Sequence, residues 1–359
     1  MNYTSALMHR PGAATHQDDT VLDAAGVAWH YGQPLGEQRA VETTGAVIDR
    51  SQRRFLKVSG PEAATFLNNL LSQKLDDVTD GFHASTLDLD GQGHVLHHAD
   101  ISRVGEDFYL DVPESQHASL EQFLQRMIFW SQVEITSPEL ALVTVLGGEQ
   151  SFLAPEFAWT VTPLFVRRSA WGSTARVDLA FPLEDLAQGV SDIESTGVQL
   201  AGLMAFTAER VRALEPELGA DLDAKSIPHE VPHWIGRGDH PGAVHLEKGC
   251  YRGQETVARV ENLGRSPRLL VLLHLDGSAP SLPAIGDEIT ANGRRIGRVG
   301  TIVDDCDYGP IALALVKRSA LDHGDLLIGD TAAQIDADSV ITEEGSKAGR
   351  AAIDKLRGR

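Results

Sequence analysis

A change in sequence texture at Ser266-Pro267 divides the chain into two kinds of structure. Before it, amphipathic helical patterns alternate with strand-like runs. After it, the chain consists of short β-forming runs, and Asn292-Gly293 lies between two of them. Asn-Gly between such runs is the strongest short-range signal for a two-residue β-hairpin. The sequence therefore predicts an α+β body over 38–266 and a separate small β domain over 267–341.

In the body, sequence patterns typical of helices precede and follow a region typical of strands. Ser59-Gly60-Pro61-Glu62 combines a capping box with proline in the first helical turn, and apolar residues follow at helical spacing up to Leu71. A second helix is predicted from Pro113 to about Trp130. Residues 82–112, between these helices, alternate apolar and polar positions around glycine-containing turns, which predicts a hairpin or meander.

The two ends of the chain lack such patterns. Residues 1–37 mix Gly, Pro, Asp and His without a sustained period, which predicts an irregular N-terminal extension. The tail, 342–359, is basic in its final part, where five cations between Lys347 and Arg359 face one acid, Asp354. We expect this tail to be a solvated end.

The net charge limits the kinds of partner. Lysine and arginine total 31 against 51 acidic residues, so the formal charge is −20 at pH 7. Such a charge opposes binding to duplex nucleic acid and to anionic membranes. The N-terminus lacks the pattern of a secretion signal, and no run approaches the roughly 20 apolar residues of a membrane span. We therefore expect a cytoplasmic protein that binds neither a membrane nor duplex nucleic acid directly.

The chain contains two cysteines, Cys250 and Cys306, which excludes a disulfide framework and a four-thiolate iron–sulfur cluster held by this chain alone. Cys250 lies in a basic island, 248–268, where five cations face two acids. Neighbouring cations favour a reactive thiolate, and Gly249 and Gly253 permit close approach of a ligand. The alternatives are an inert packed thiol and a solvated helix face. Cys306 lies among acids and is expected to be structural.

The histidines at 94, 97 and 98 raise the question of a metal site. On an extended strand, His94 and His98 share one face while His97 points to the other. The run cannot form a three-ligand site by itself, so we expect no metal site here. Residues 226–245 read as a Pro/His/Gly-rich loop, and a loop of this length inside a domain is usually functional or disordered.

The octapeptide KGCYRGQE, residues 248–255, resembles the signature of the YgfZ family, the folate-binding relatives of the glycine-cleavage T-protein. Residues 58–72, 209–223 and 226–231 also resemble that superfamily, as do the strand-like runs after 267, in collinear order over roughly 40–340. The resemblance implies an α+β ring of two ferredoxin-like lobes, interleaved in sequence, and a C-terminal β-barrel. Reduced folate, as tetrahydrofolate or a one-carbon derivative, would lie in the central channel.

The resemblance also implies roles for individual residues. Cys250 would be the reactive group, acting through a mixed disulfide or a transient metal–thiolate bond. Glu230 would bind the pterin ring, since a carboxylate can accept two N–H bonds from its aminopyrimidine edge. The other predicted folate-binding residues are Lys248, Tyr251, Arg252, Gln254 and Arg259. The cations among them would lie near the glutamate tail of the folate.

The resemblance implies a tetrahydrofolate-binding accessory protein that assists iron–sulfur cluster assembly or repair and cluster-dependent tRNA modification. Its partners would be iron–sulfur assembly factors or client enzymes. The T-protein carries a catalytic aspartate on the strand that corresponds to Gly93–Ile101, where this chain has His97-His98 and then Asp100. A classical aminomethyltransferase is therefore not expected. The alternatives are a folate-dependent one-carbon transferase or demethylase using Asp100 or His98, and a structural partner without folate.

Overall fold

The computed structural model describes residues 3–16, 21–238, 240–279 and 281–341, so the predicted basic tail at 342–359 lies outside the described residues. Within these ranges no helix is long and apolar enough to cross a membrane. The helices are α1 Pro34–Ala40, α2 Ala63–Leu70, α3 Glu114–Arg126, α4 Leu186–Glu194, α5 Leu203–Arg212 and α6 Gln254–Leu263.

The strands of the body come first in the chain and those of the C-terminal barrel follow. The body contains β1 Ala46–Asp49, β2 Arg54–Ser59, β3 His83–Leu89, β4 Val95–Val104, β5 Asp107–Val112, β6 Glu134–Thr136, β7 Leu140–Leu146, β8 Phe165–Trp171, β9 Thr174–Pro182 and β10 Gln199–Ala201. The barrel contains β11 Arg268–Leu275, β12 Glu288–Ala291, β13 Arg294–Asp305, β14 Gly309–Lys317, β15 Leu326–Ile328 and β16 Thr331–Ile335.

Two five-stranded sheets form the body, and the chain passes between them. β1 belongs to the sheet of order β10-β1-β7-β9-β8, whereas β2 to β6 form the sheet of order β3-β4-β5-β2-β6. The chain then returns to the first sheet with β7. The expectation of two α+β lobes interleaved in sequence is confirmed.

The third unit is a closed six-stranded barrel of order β11-β14-β13-β12-β15-β16, completed by pairing of β11 with β16. Asn292 and Gly293 connect β12 to β13 with φ angles of 51° and 71°, as a type I′ hairpin turn requires. The hairpin predicted from Asn-Gly is therefore confirmed.

The first strand of the barrel, β11, also packs against the body, because its residues alternate between two cores. Leu269, Val271 and Leu273 lie in the barrel core. The intervening Leu270 and Leu272 pack in a second core with Trp234 and other residues of the body. Because successive side chains of a strand point to opposite faces, one strand supplies both cores. This second core also holds in place the loop that contains Trp234.

Candidate functional site

A cavity of about 510 Å³ lies between the two sheets of the body. Strands β3 and β4 supply one wall, strands β8 and β9 supply another, and three loop segments complete it: 213–215, 233–234 and 240–243. Two of these segments belong to the long irregular loop noted in the sequence. The His83 ring contacts the Arg168 carbonyl oxygen at 2.9 Å and so connects the two sheets at the rim.

Asp100 on β4 faces this cavity as an ionised carboxylate. It accepts a hydrogen bond from the Ser85 hydroxyl at 2.6 Å and one from Arg176 at 3.3 Å. Burial favours the neutral acid, but the charges of Arg167 and Arg176 outweigh burial and hold the pKa of Asp100 well below its usual range.

His98, two residues earlier on β4, lines a smaller space that shares Asp100 and Glu215 with this cavity. Its ring centroid is 4.7 Å from that of Trp234, and its Nε2 is 3.9 Å from a carboxylate oxygen of Glu215. Burial lowers the pKa of His98, so the ring is neutral at neutral pH. His97 is on the opposite face of the strand, where its ring contacts Asp88 and Ser119, each at 2.8 Å.

Glu215 is the acid at the centre of the loop wall. Its carboxylate is 2.9 Å from His233 Nε2 and accepts a hydrogen bond from the Trp234 indole at 3.3 Å. Although burial opposes ionisation, the neighbouring His233 lowers the pKa of Glu215 to about 2. A carboxylate has about four acceptor positions, so Glu215 keeps acceptors for a ligand.

A network of buried ion pairs fixes the floor of the cavity. Arg167 joins Asp111 of one sheet to Asp178 of the other, at 2.5 and 3.2 Å. Arg176 pairs with the same Asp178 at 2.7 Å. Although burial favours the neutral acid, these arginines lower the pKa of Asp178 to about 2. The cavity is therefore framed by charges that are fixed in place before any ligand binds.

The predicted reactive cysteine lies on a different surface. Cys250 is exposed, in the loop that precedes α6. Gly253, at the start of α6, has a φ of 82°, and an added Cβ would lie 2.8 Å from the Asp90 carbonyl oxygen. Gly253 thus permits close approach of the loop to the neighbouring turn, whereas Gly249 faces open space.

The cations beside Cys250 are bound to the protein itself, and their expected role near a folate tail stays a prediction. The buried Lys248 ammonium donates to the carbonyl oxygens of Asn68, Leu71 and Gln73, the last at 3.0 Å. Burial lowers the pKa of Lys248 to about 8. Arg252 donates to Asp88 at 2.6 Å.

The remaining predicted ligands also lie outside the cavity lining. Tyr251 is buried, with the Lys248 ammonium 4.9 Å from its ring centroid. Gln254 begins α6, and Arg259 is exposed on the same helix. A role of these side chains in binding folate stays a prediction, since the residues around the cavity are a different set.

Glu230, the expected pterin ligand, is buried against the barrel. Both of its carboxylate oxygens accept from Arg268, at 2.8 and 2.9 Å. Burial raises the pKa of Glu230, and Arg268 opposes that shift. The structure therefore gives this carboxylate a partner on the barrel, whereas Glu215 is among the acids that line the cavity.

Sequence reasoning did not single out Glu215, His233 or Trp234. Each lies in a segment that resembles the superfamily or in the long loop, but no local pattern distinguishes it. Leu214, directly before Glu215, has a φ of 59°. This left-handed conformation is uncommon for a side chain of its size and turns the chain after α5. It can be seen only in the structure.

Comparisons with known proteins agree with this architecture. The family model of the CAF17 C-terminal β-barrel domain matches residues 268–340. The tRNA-modifying protein YgfZ of Colwellia psychrerythraea is 25% identical over 304 residues, which cover 83% of this chain and 91% of that protein. The protein of the same name from Klebsiella pneumoniae is 24% identical and covers 74% and 83%. The resemblance to the YgfZ family is confirmed.

Among solved structures, the glycine cleavage system aminomethyltransferase T from Bartonella henselae is similar to this chain. The TM-score is 0.75 at 20% identity, and the match covers 92% of this chain and 94% of that one. This likeness confirms the predicted fold class, two α+β lobes and a C-terminal barrel.

Proposed function

Because this chain is homologous to the YgfZ proteins over most of its length, we propose that it binds reduced folate in the central cavity and assists iron–sulfur-dependent tRNA modification through Cys250. The observation that carries the proposal is the pairing of two features in one molecule. A cavity lined by charged and aromatic side chains lies between the sheets, and an exposed thiol lies on a fixed loop outside it.

The cavity suits tetrahydrofolate or a one-carbon derivative. Its volume of about 510 Å³ lies in the usual range for small-molecule sites. Glu215 offers acceptor oxygens to the N–H groups of an aminopyrimidine edge, and Trp171 and Trp234 supply aromatic surface. Arg168 is exposed on the cavity wall and suits the carboxylates of a glutamate tail.

Cys250 suits exchange with a partner protein. Its exposure lets a partner sulfur or a soft metal ion reach Sγ, and a thiolate is the form that reacts in both cases. Lys248 and Arg252 hold the loop on either side of it. With two cysteines in the chain, the thiol assists cluster chemistry that belongs to assembly factors or client enzymes of the cytoplasm.

A second candidate function is folate-dependent one-carbon transfer. It is favoured by the position of Asp100 and His98, an ionised acid and a neutral base that both line the small space adjoining the central cavity. Transfer of formaldehyde carbon to tetrahydrofolate by the purified protein would support this candidate. We expect no turnover of an aminomethylated lipoyl carrier, because His97 and His98 stand at the place of the T-protein aspartate.

Complementation tests the proposed function. In a bacterium that lacks its own YgfZ protein, the wild-type chain should restore the tRNA modifications made by iron–sulfur enzymes, as read by nucleoside mass spectrometry. Cys250→Ser should fail to restore them while folding normally, because the substitution removes one exposed sulfur. Cys306→Ser is the matched control and should restore them. Full activity of Cys250→Ser would refute the role of the thiol.

A further inference from the structure

A second, smaller cavity of about 40 Å³ adjoins the central one. Asp100, Trp171, Arg176 and Glu215 line both cavities. A volume of this size has room for roughly three water molecules. It therefore admits a ligand of only a few non-hydrogen atoms.

Four arginines line this small cavity, and three of them have a carboxylate within hydrogen-bond distance. These three pairs are Arg53 with Asp111 at 2.7 Å, Arg176 with Asp178 at 2.7 Å, and Arg210 with Asp221 at 2.8 Å. The charge on each of these side chains is thus balanced inside the protein.

Arg50 is the fourth arginine, and its environment differs. It is 6% exposed, and its Nη1 lies 4.0 Å from Asp178 and donates to the Thr144 hydroxyl at 3.3 Å. Its Nε has no hydrogen-bond partner within the part of the chain that the structure describes. Its guanidinium carbon lies 3.9 Å from the ring centroid of Phe206. A desolvated cation whose ion pair is as long as 4.0 Å is only partly compensated, and an anion beside it would offset the remaining cost.

The electrostatics at Arg50 agree with this geometry. Burial, together with the nearby charges of Arg53 and Arg176, lowers the pKa of Arg50 to about 9. His98 adds a second polar atom, because its buried Nε2 is also without a hydrogen-bond partner among the described residues. A neutral imidazole can donate from this nitrogen, so Arg50 and His98 together offer N–H donors to one acceptor group.

We propose that the small cavity binds a small carboxylate, of the size of formate or acetate, on Arg50 and His98. A planar carboxylate matches the fork of a guanidinium, and the small volume favours an acid of few atoms. The acids on the cavity wall do not prevent this, since Asp100, Glu215 and Glu217 are paired with Arg176, His233 and Arg210, respectively. The site goes beyond the proposed function and needs no folate in the larger cavity.

Titration of the folate-free protein with ¹³C-formate, followed by NMR line broadening, tests this proposal. We expect saturable binding with a dissociation constant of about 1 mM. Arg50→Gln should weaken binding by about tenfold or more, and Arg50→Lys, which keeps the charge, should retain part of it. Arg54→Gln is the matched control, because Arg54 pairs with Glu114 at the surface and lies outside the cavity. Thermal unfolding identifies any variant that fails to fold.

Any one of the following results of the formate titration would overturn the proposal: no saturation of binding, equal weakening in Arg54→Gln, equal loss in Arg50→Lys and Arg50→Gln with both variants folded, or equal affinity for the bulkier pivalate. A competition arm separates two sources of the carboxylate. If formate and tetrahydrofolate bind together, the site takes a free small carboxylate. If they compete and Arg50→Gln also weakens folate binding, the carboxylate is that of folate and the proposal fails. Formate binding without folate binding would refute only the proposed function.

Discussion

The charged side chains on either side of Cys250 are bound within the protein, while the thiol is exposed. Lys248 donates to three backbone carbonyls, and Arg252 pairs with Asp88, 164 residues earlier in the chain. The octapeptide shows that cations flank the thiol, but their partners are remote in sequence and no local pattern reveals them. The consequence is a thiol whose loop is fixed before a partner arrives.

The two thiols should differ in reactivity. Burial, with Asp305 and Asp307 nearby, raises the pKa of the Cys306 thiol, which disfavours its thiolate. Cys250 is the more exposed of the two. Under native alkylation with iodoacetamide at pH 7.5, we expect Cys250 to react about tenfold faster or more. Peptide mass spectrometry measures both rates, and faster labelling of Cys306 would contradict the account.

Asp23 should make stability depend on pH. Burial raises the pKa of Asp23 to about 6, against the charge of Arg53 at 3.9 Å. The folded state therefore holds a proton that the unfolded state releases near pH 4, so this group's contribution to stability falls as pH rises from about 4 through 6. Asp23→Asn should raise the free energy of unfolding at pH 7.5 by about 1–3 kcal/mol.

Urea unfolding of the wild type and Asp23→Asn at several pH values checks this sign. The advantage of the variant should shrink between pH 7.5 and pH 5, because the wild-type carboxyl becomes protonated in that window. An advantage that stays constant or grows toward pH 5 would show that Asp23 is an ordinary ionised acid.

Among the elements, β4 was the most predictable part of the site. The period of two along a strand predicts that His98 and His97 point to opposite faces, as the structure shows. The loop wall could not be predicted in the same way. Glu215 and Trp234 reach the cavity through an irregular turn at Leu214 and a loop that packs on the barrel. Such positions depend on contacts between distant segments, so no local pattern singled out Glu215 as a residue of the cavity wall.

Ion pairs connect the first strand of the barrel to the body. Arg268, at the start of β11, pairs with Glu230 and Asp223 of the body. Arg268→Met would leave the Glu230 carboxylate, which is 1% exposed, without its partner. We expect a loss of about 3 kcal/mol in the free energy of unfolding, as for other broken buried pairs.

Arg295→Met is the matched control on the same barrel. Arg295 pairs with Glu288 at 2.8 Å, but both side chains are more than half exposed. Its removal should cost less than about 1 kcal/mol. Equal losses for the two variants in urea unfolding would contradict the structural role of Arg268.

At the scale of the whole molecule, the class of fold was predictable and the cavity was not. Local patterns predicted helices, strands and the Asn-Gly hairpin, and the resemblance implied the interleaved lobes. The cavity itself forms between two sheets, and the chain passes from one sheet to the other and back. Strand β1 pairs with β7 in one sheet, and β2 pairs with β5 in the other. Residues that line it therefore come from segments between His83 and Ala243, and no single motif contains them.

The central claim is that reduced folate occupies this cavity with Glu215 on its wall. Equilibrium titration with tetrahydrofolate of the wild type, Glu215→Gln and Glu230→Gln tests it most directly, because the two variants alter buried carboxylates in different places. The account predicts a dissociation constant of about 1 μM for the wild type, about tenfold weaker binding by Glu215→Gln, and nearly unchanged binding by folded Glu230→Gln. Absence of binding at millimolar folate, or loss of affinity in Glu230→Gln alone, would contradict it.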